Sequence, residues 1–188
     1  MIKIGITGSL ASGKSTVSKL MSSNKYPLFS ADKVVKNLYK SNHFIKNVQK
    51  KFKLSKAKKT KQQIRNLVLK NDQNLRKLEL LIHPIVRREM KKFIKSKKKH
   101  KIIFLEIPLL IESKLMQYFD VIFFVNATSQ NRLYRYLKQG GNKKIFITLN
   151  KRQLNSKIKS KLSDYTINNN SSLTQLRKNV KNIIKNYA

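Results

Sequence analysis

The chain has 188 residues, 40% hydrophobic and 27% charged, with 43 Lys and Arg against 8 Asp and Glu for a formal net charge of +35. That length suits one domain with a buried core, and no apolar run approaches the roughly 20 residues a membrane span needs. Cysteine is absent, which excludes disulfides and thiolate metal sites, and three well-separated histidines (His43, His83, His100) argue against a histidine zinc site.

The opening MIKIGITGSLASGKS reads as a strand and a glycine loop without a signal peptide's apolar stretch, so a soluble cytoplasmic protein is expected. Residues 2–6 form a short apolar run of the kind found in buried parallel strands. Residues 14–22 follow with helical spacing, placing Val17, Leu20 and Met21 on one face. A second short strand is predicted at 27–30, with Asp32 just beyond its end. Residues 33–52 have a helical pattern broken near Ser41-Asn42, and 60–95 read as helices. His83-Pro84 interrupts that second run and predicts a boundary or kink. The basic run 95–101 reads as a solvated loop.

Residues 102–105 are a strand ended by Glu106, and 109–115 have the look of a short helix. The run DVIFFV at 120–125 is the strongest buried-strand signal. Residues 129–138 are helical in pattern, with Gly140-Gly141 as punctuation. Residues 143–149 fit strand or helix equally, and 150–162 are polar and helical. A strand at 165–167, a turn at 168–172 and a helix at 173–186 close the chain. Strands alternating with helices predict an α/β three-layer sandwich around about five parallel strands. The strandless stretch from about 41 to 99 is too long for one crossover and reads as a helical insertion.

Gly8-Ser9-Leu10-Ala11-Ser12-Gly13-Lys14-Ser15 matches the phosphate-loop pattern G-x-x-x-x-G-K-[ST], and a strand before it with a helix after it is the context that motif requires. Glycines let successive N–H groups face phosphate oxygens, and the following helix adds its positive dipole end. Lys14 supplies a cation for the β- and γ-phosphates and Ser15 a hydroxyl for magnesium. Nucleoside triphosphate binding follows, and no Asn-Lys-x-Asp segment marks a guanine pocket.

The eight acids are Asp32, Asp72, Glu79, Glu89, Glu106, Glu112, Asp120 and Asp164, and a catalytic base must come from them. In a parallel sheet the carboxyl ends of the strands face the nucleotide, which brings Asp32 and Glu106 toward the loop. A carboxylate there that accepts a hydroxyl proton suits phosphate transfer to an alcohol. Asp32 fits that role or the N-cap of the following helix.

Residues 8–16, Ser30-Ala31-Asp32, Leu81-Ile82-His83-Pro84 and Ile107-Pro108-Leu109-Leu110-Ile111-Glu112 together resemble the ordered signature of the dephospho-CoA kinase family. Leu133-Tyr134-Arg135, Gln153 and Asp164-Tyr165-Thr166-Ile167-Asn168-Asn169 continue it at similar spacing over nearly the whole chain. The resemblance implies ATP-dependent phosphorylation of the ribose 3′-hydroxyl of dephospho-CoA, the last step of coenzyme A synthesis, with Mg2+. It implies a P-loop kinase core at 1–40 and 100–188, a lid at about 128–155 and a substrate-binding insertion at about 41–99. ATP would meet Gly8, Ala11, Ser12, Gly13, Lys14, Ser15, Thr16 and Asn169, with Ser15 toward the metal. Asp32, Lys14 and Arg135 would carry catalysis, and Asp32, Arg65, His83 and Glu106 would face the acceptor.

Simpler roles stand beside these. His83 fits packing at the Pro84 position, Arg65 a solvated helix face, and Arg135 a surface ion pair. The sequence also departs from the family: Gln139 stands where a second lid arginine is common, Glu106 where Asp is common, and Ser171 near an expected glycine. Another small-molecule P-loop kinase, acting on a nucleoside or nucleotide, is the alternative. A basic nucleic-acid-binding protein with a vestigial loop is a further one. The excess charge is spread along a chain rich in Lys, Asn and Ile, which compositional drift explains, and it implies at most non-specific nucleic-acid binding at low salt. A monomer without membrane attachment is expected.

Overall fold

The computed structural model describes residues 1–23, 25–55, 59–185 and 187, without the side chains of 69 and 70. Residues 56–58 of the expected insertion and Asn186 of the last expected helix lie outside the described residues. The chain opens with β1 (Ile2–Gly8), α1 (Lys14–Ser22) and β2 (Leu28–Ser30), then α2 (Ala31–Leu38), α3 (Asn42–Phe52), α4 (Thr60–Lys70) and α5 (Asp72–Ser96). It continues through β3 (Ile102–Glu106), a single 3-10 turn (Met116–Tyr118) and β4 (Val121–Asn126). The remaining elements are α6 (Ser129–Lys138), α7 (Lys143–Lys151), α8 (Ser156–Lys161), β5 (Tyr165–Asn168) and α9 (Leu173–Ile184).

All strand pairings are parallel, in the order β2-β3-β1-β4-β5. The central strand sets Ile6 beside Glu106 on one flank and Gly8 beside Val125 on the other. The chain leaves β1 toward one edge and later crosses to the opposite flank. The crevice outside the carboxyl end of β1 is therefore a topological switch point, where such sheets bind ligands.

Both faces of the sheet are buried, as the apolar runs require. On one face Ile4, Ile6, Ile102, Phe104, Phe123, Val125 and Ile167 pack with Val17 and Met21 of α1 and Leu176 and Val180 of α9. Strand alternation turns Ile103, Leu105, Ile122 and Phe124, all buried, to the other face. Gly5 also points there. A Cβ on it would stand 2.7 Å from Leu110 Cδ1 and 2.9 Å from Phe119 Cδ1, so only glycine lets the 107–119 segment lie that close. This is the expected parallel α/β architecture.

The chain divides into two compact units, Met1–Ser30 with Phe93–Ala188, and Ala31–Lys92. The second unit is helical, with Phe44, Val48, Ile64 and Leu78 at its centre and Leu81, Ile82 and Ile85 packed around them. Its α3 is capped by the Ser41 hydroxyl, which accepts from the Phe44 N–H.

Three expectations need correction. The boundary predicted at Pro84 is absent, because α5 runs through it. A mid-helix proline costs roughly 3 kcal/mol, and the apolar residues on both sides of it, Leu81, Ile82 and Ile85, recover that by packing in one core. The short helix expected at 109–115 is a series of turns, because Lys114 adopts a left-handed φ of 54° that a right-handed helix does not accommodate. The helix expected over 150–162 is two pieces, because α7 ends at Lys151 and Asn155 caps a new helix by accepting from the Lys157 N–H. The ambiguous 143–149 resolves as helix, with Asn142 as its cap.

Candidate active site

The chain leaves β1 at Gly8, where there is room for no side chain. A Cβ would lie 2.6 Å from the Val125 carbonyl oxygen and 2.7 Å from Ser12 Oγ. The loop then turns through two left-handed residues, Ala11 at φ 59° and Gly13 at φ 93°. The Ser12 N–H donates to the Ser9 carbonyl at 3.1 Å, and the Thr16 and Val17 N–H groups both donate to Gly13, which starts α1. The result is a tight backbone cradle at the positive end of a helix, the arrangement that binds phosphate.

Lys14 is only 7% exposed, and its Nζ donates to the Ser9 carbonyl at 3.0 Å, so the cation lies back over the loop it follows. Ser15 Oγ donates to Glu106 Oε1 at 2.5 Å, a short hydrogen bond of the charge-assisted kind. Glu106, 3% exposed, ends β3 in register with Ile6, which is why its carboxylate reaches the first turn of α1. Two hard oxygen donors thus meet beside the phosphate cradle.

The opposite rim is built by residues far away in sequence. The Asn169 N–H donates to the Asn126 carbonyl at 2.8 Å, which extends the β4–β5 pairing past the strand ends. Its side-chain amide then donates to the Ser12 carbonyl at 2.8 Å, directly over Gly13. Arg135 of α6 donates from Nη2 to the Asn169 carbonyl at 2.9 Å and from Nη1 to the Ser12 carbonyl at 3.4 Å. The Ser12 carbonyl is therefore held from two sides. The Leu10 N–H donates to Gln153 Oε1 at 3.0 Å.

Gly8, Ala11, Ser12, Gly13, Lys14, Ser15, Thr16, Glu106, Arg135 and Asn169 thus gather in the first unit, as a phosphate loop and its rim. Asp32, Arg65 and His83 belong to the second unit. Asp32 lies exposed in the first turn of α2, inside the helix rather than at its cap. Arg65 is exposed on α4. His83 is half-buried on α5, where burial foremost, and then Arg87, pushes its imidazole below the ordinary value against an opposing pull from Glu79. Sequence reasoning missed the pairing of Ser15 with Glu106 and the Ser12 carbonyl as a shared acceptor. Gln153 was visible only as part of a resemblance, with no role attached.

Known proteins resemble this chain over nearly its whole length. A family model described as dephospho-CoA kinase matches residues 2–175. The dephospho-CoA kinase of Bartonella henselae is 33% identical over 187 residues, covering 97% of this chain and 96% of that one. A crystal structure of TT1252 from Thermus thermophilus superposes with a TM-score of 0.80 at 26% identity, covering 100% of this chain and 98% of that one. The dephospho-CoA kinase structure from Campylobacter jejuni gives 0.68 at 23% identity, covering 97% and 95%.

Proposed function

The chain belongs to the dephospho-CoA kinase family, and from that premise we propose how its residues divide the work of the reaction. The reaction moves the γ-phosphoryl group of ATP to the ribose 3′-hydroxyl of dephospho-CoA. A bond forms between the 3′-oxygen and the γ-phosphorus, the bond from that phosphorus to the β–γ bridging oxygen breaks, and ADP leaves. Such transfer is mostly positioning and charge stabilisation.

The observation that carries the assignment is the cluster at the carboxyl ends of β1 and β3. The loop amides and Lys14 take the β- and γ-phosphates. Arg135 stands on the loop rim, where its guanidinium can exchange backbone carbonyls for phosphate oxygens as charge develops. Asn169 closes the loop from above.

Magnesium fits the donors present. Ser15 and Glu106 offer two oxygen ligands, and Mg2+ is ordinarily held by one or two protein oxygens with substrate phosphates rather than by a protein cage. Among the described residues no group of three or more His, Asp or Glu could hold a metal alone. Ser15 and Glu106 would hold the ion, which supplies charge neutralisation on the triphosphate. Glu106, expected on the acceptor side, thereby serves the metal side as well.

Asp32 accepts the proton of the 3′-hydroxyl, and Arg65 and His83 bind the acceptor. Asp32 sits two residues past β2, whose last residue pairs in register with Glu106. Action as a monomer in the cytoplasm completes the reading. Among the described residues no helix is long and apolar enough to cross a membrane. The test is Asp32→Asn. Removing a positioned base lowers transfer by roughly 10²–10⁴-fold. Losing a first-turn charge costs the helix only about 0.3–1 kcal/mol. Single-turnover transfer should therefore collapse while ATP affinity and the thermal midpoint stay close to wild type. An intact rate would remove Asp32 from the mechanism.

A further inference from the structure

Ala11 is a non-glycine residue in the left-handed region, a conformation that persists only where neighbours over-determine it. On its far side the Ser12–Gly13 peptide is fixed by Asn169 and Arg135 at the Ser12 carbonyl. On its near side the Ser9–Leu10 peptide is held at its carbonyl by the Ser12 N–H and Lys14 Nζ, and at its N–H by one side chain, Gln153, whose Oε1 accepts from the Leu10 N–H across 143 residues of sequence.

Gln153 is itself gripped. It occupies the break between α7 and α8, and its N–H donates to the Asn150 carbonyl at 3.2 Å. The Asn150 side chain accepts from buried Arg132 at 2.7 Å. The N–H of the next residue, Leu154, donates to Glu112 Oε1 at 3.2 Å. That carboxylate is ion-paired at 2.5 Å to Lys159, which is fully buried. The backbone that carries this side chain is thus held at Gln153 and at Leu154, and the side-chain amide presents one oxygen to one loop N–H.

We infer that Gln153 is a positioning residue of the phosphate loop, holding the Ser9–Leu10 peptide so that the cradle meets the triphosphate already formed. Preorganisation of this kind improves binding by lowering the ordering cost at the moment of capture. This inference rests on residues 8–15 being the triphosphate site, as proposed above.

The test compares Gln153→Met, of similar size but without the acceptor, with Gln153→Glu, which keeps one at the same reach. Hydrogen exchange at the Leu10 amide and titration with MgATP without acceptor are the readouts. In Gln153→Met the Leu10 amide should lose its protection. The Kd for MgATP should rise about fivefold, the equivalent of one ordinary hydrogen bond. The KM for dephospho-CoA and kcat should stay within about twofold. Gln153→Glu should retain the protection, and Gln153→Leu repeats the measurement if the Met variant folds poorly. Unchanged MgATP affinity in the apolar variants would overturn the inference, as would rapid Leu10 exchange in Gln153→Glu. Lys14→Ala is measured alongside. If it lost MgATP affinity while the apolar Gln153 variants did not, the inference alone would fall. If it bound like wild type, the site assignment would fall too.

Discussion

Gly13 answers two demands with one missing atom. Its φ of 93° is a left-handed conformation, and the space where a Cβ would stand is taken by the Asn169 side-chain amide. Gly140 shares the first demand, at φ 77°, but nothing lies within 4 Å of its would-be Cβ. The pair separates strain from contact. Gly140→Ala should cost about 1–2 kcal/mol of stability for the left-handed alanine and leave ATP binding unchanged. Gly13→Ala carries the same strain and also drives Asn169 off the Ser12 carbonyl, so MgATP affinity should drop about tenfold, at the upper end of what a single hydrogen bond at roughly 0.5–1.5 kcal/mol explains. Thermal midpoints and nucleotide titration on both variants read the two effects. Equal nucleotide affinity in the two variants would show that Asn169 contributes nothing to the loop.

At the scale of elements, what was legible was whatever repeats. Strands β1, β3 and β4 announced themselves as apolar runs, and α1 and α6 as spaced apolar faces. The loop at 8–15 was legible because its chemistry is contiguous. Its rim was not. Asn169, Arg135 and Gln153 act through side-chain bonds to backbone groups more than 30 residues away, and no periodicity encodes such a bond. The helix expected over 150–162 failed for the same reason, since its break puts Gln153 and Leu154 where the loop and Glu112 need them. What fixes that break is the Glu112–Lys159 ion pair under it, a charge pair with one partner wholly buried. Removing one member strands the other, which costs about 3–5 kcal/mol, whereas replacing both by apolar residues is often neutral or better. Lys159→Met should therefore destabilise strongly, and adding Glu112→Leu should recover most of the loss. Additive losses in a double-mutant cycle of denaturant midpoints would mean that the two charges do not depend on each other.

Across the whole molecule, 43 cationic side chains face 8 acids, and several of those acids are already engaged in pairs: Asp120 with Lys3, Glu89 with Arg88 and Lys92, and Glu112 with Lys159. Self-repulsion at +35 opposes compaction, while the same field draws in anions, and both effects are screened beyond about 10 Å at 0.1 M salt. Both substrates of the reaction are polyanions, so the field should speed their capture without touching the chemical step. Raising salt from about 50 to 200 mM should then lower kcat/KM for ATP and dephospho-CoA, leave kcat nearly constant and raise the thermal midpoint. Nucleic acid is drawn by the same field, but the basic residues are dispersed along the chain and no aromatic recognition motif accompanies them. Its binding should be indifferent to sequence and largely gone at the upper salt value, because each phosphate contact releases a counterion whose entropy falls in value as salt rises. A titration of two unrelated oligonucleotides at both salt concentrations decides the point. Sequence-selective binding that survives about 200 mM salt would require contacts to base edges, and the charge would then be an instrument of recognition rather than a field around a kinase.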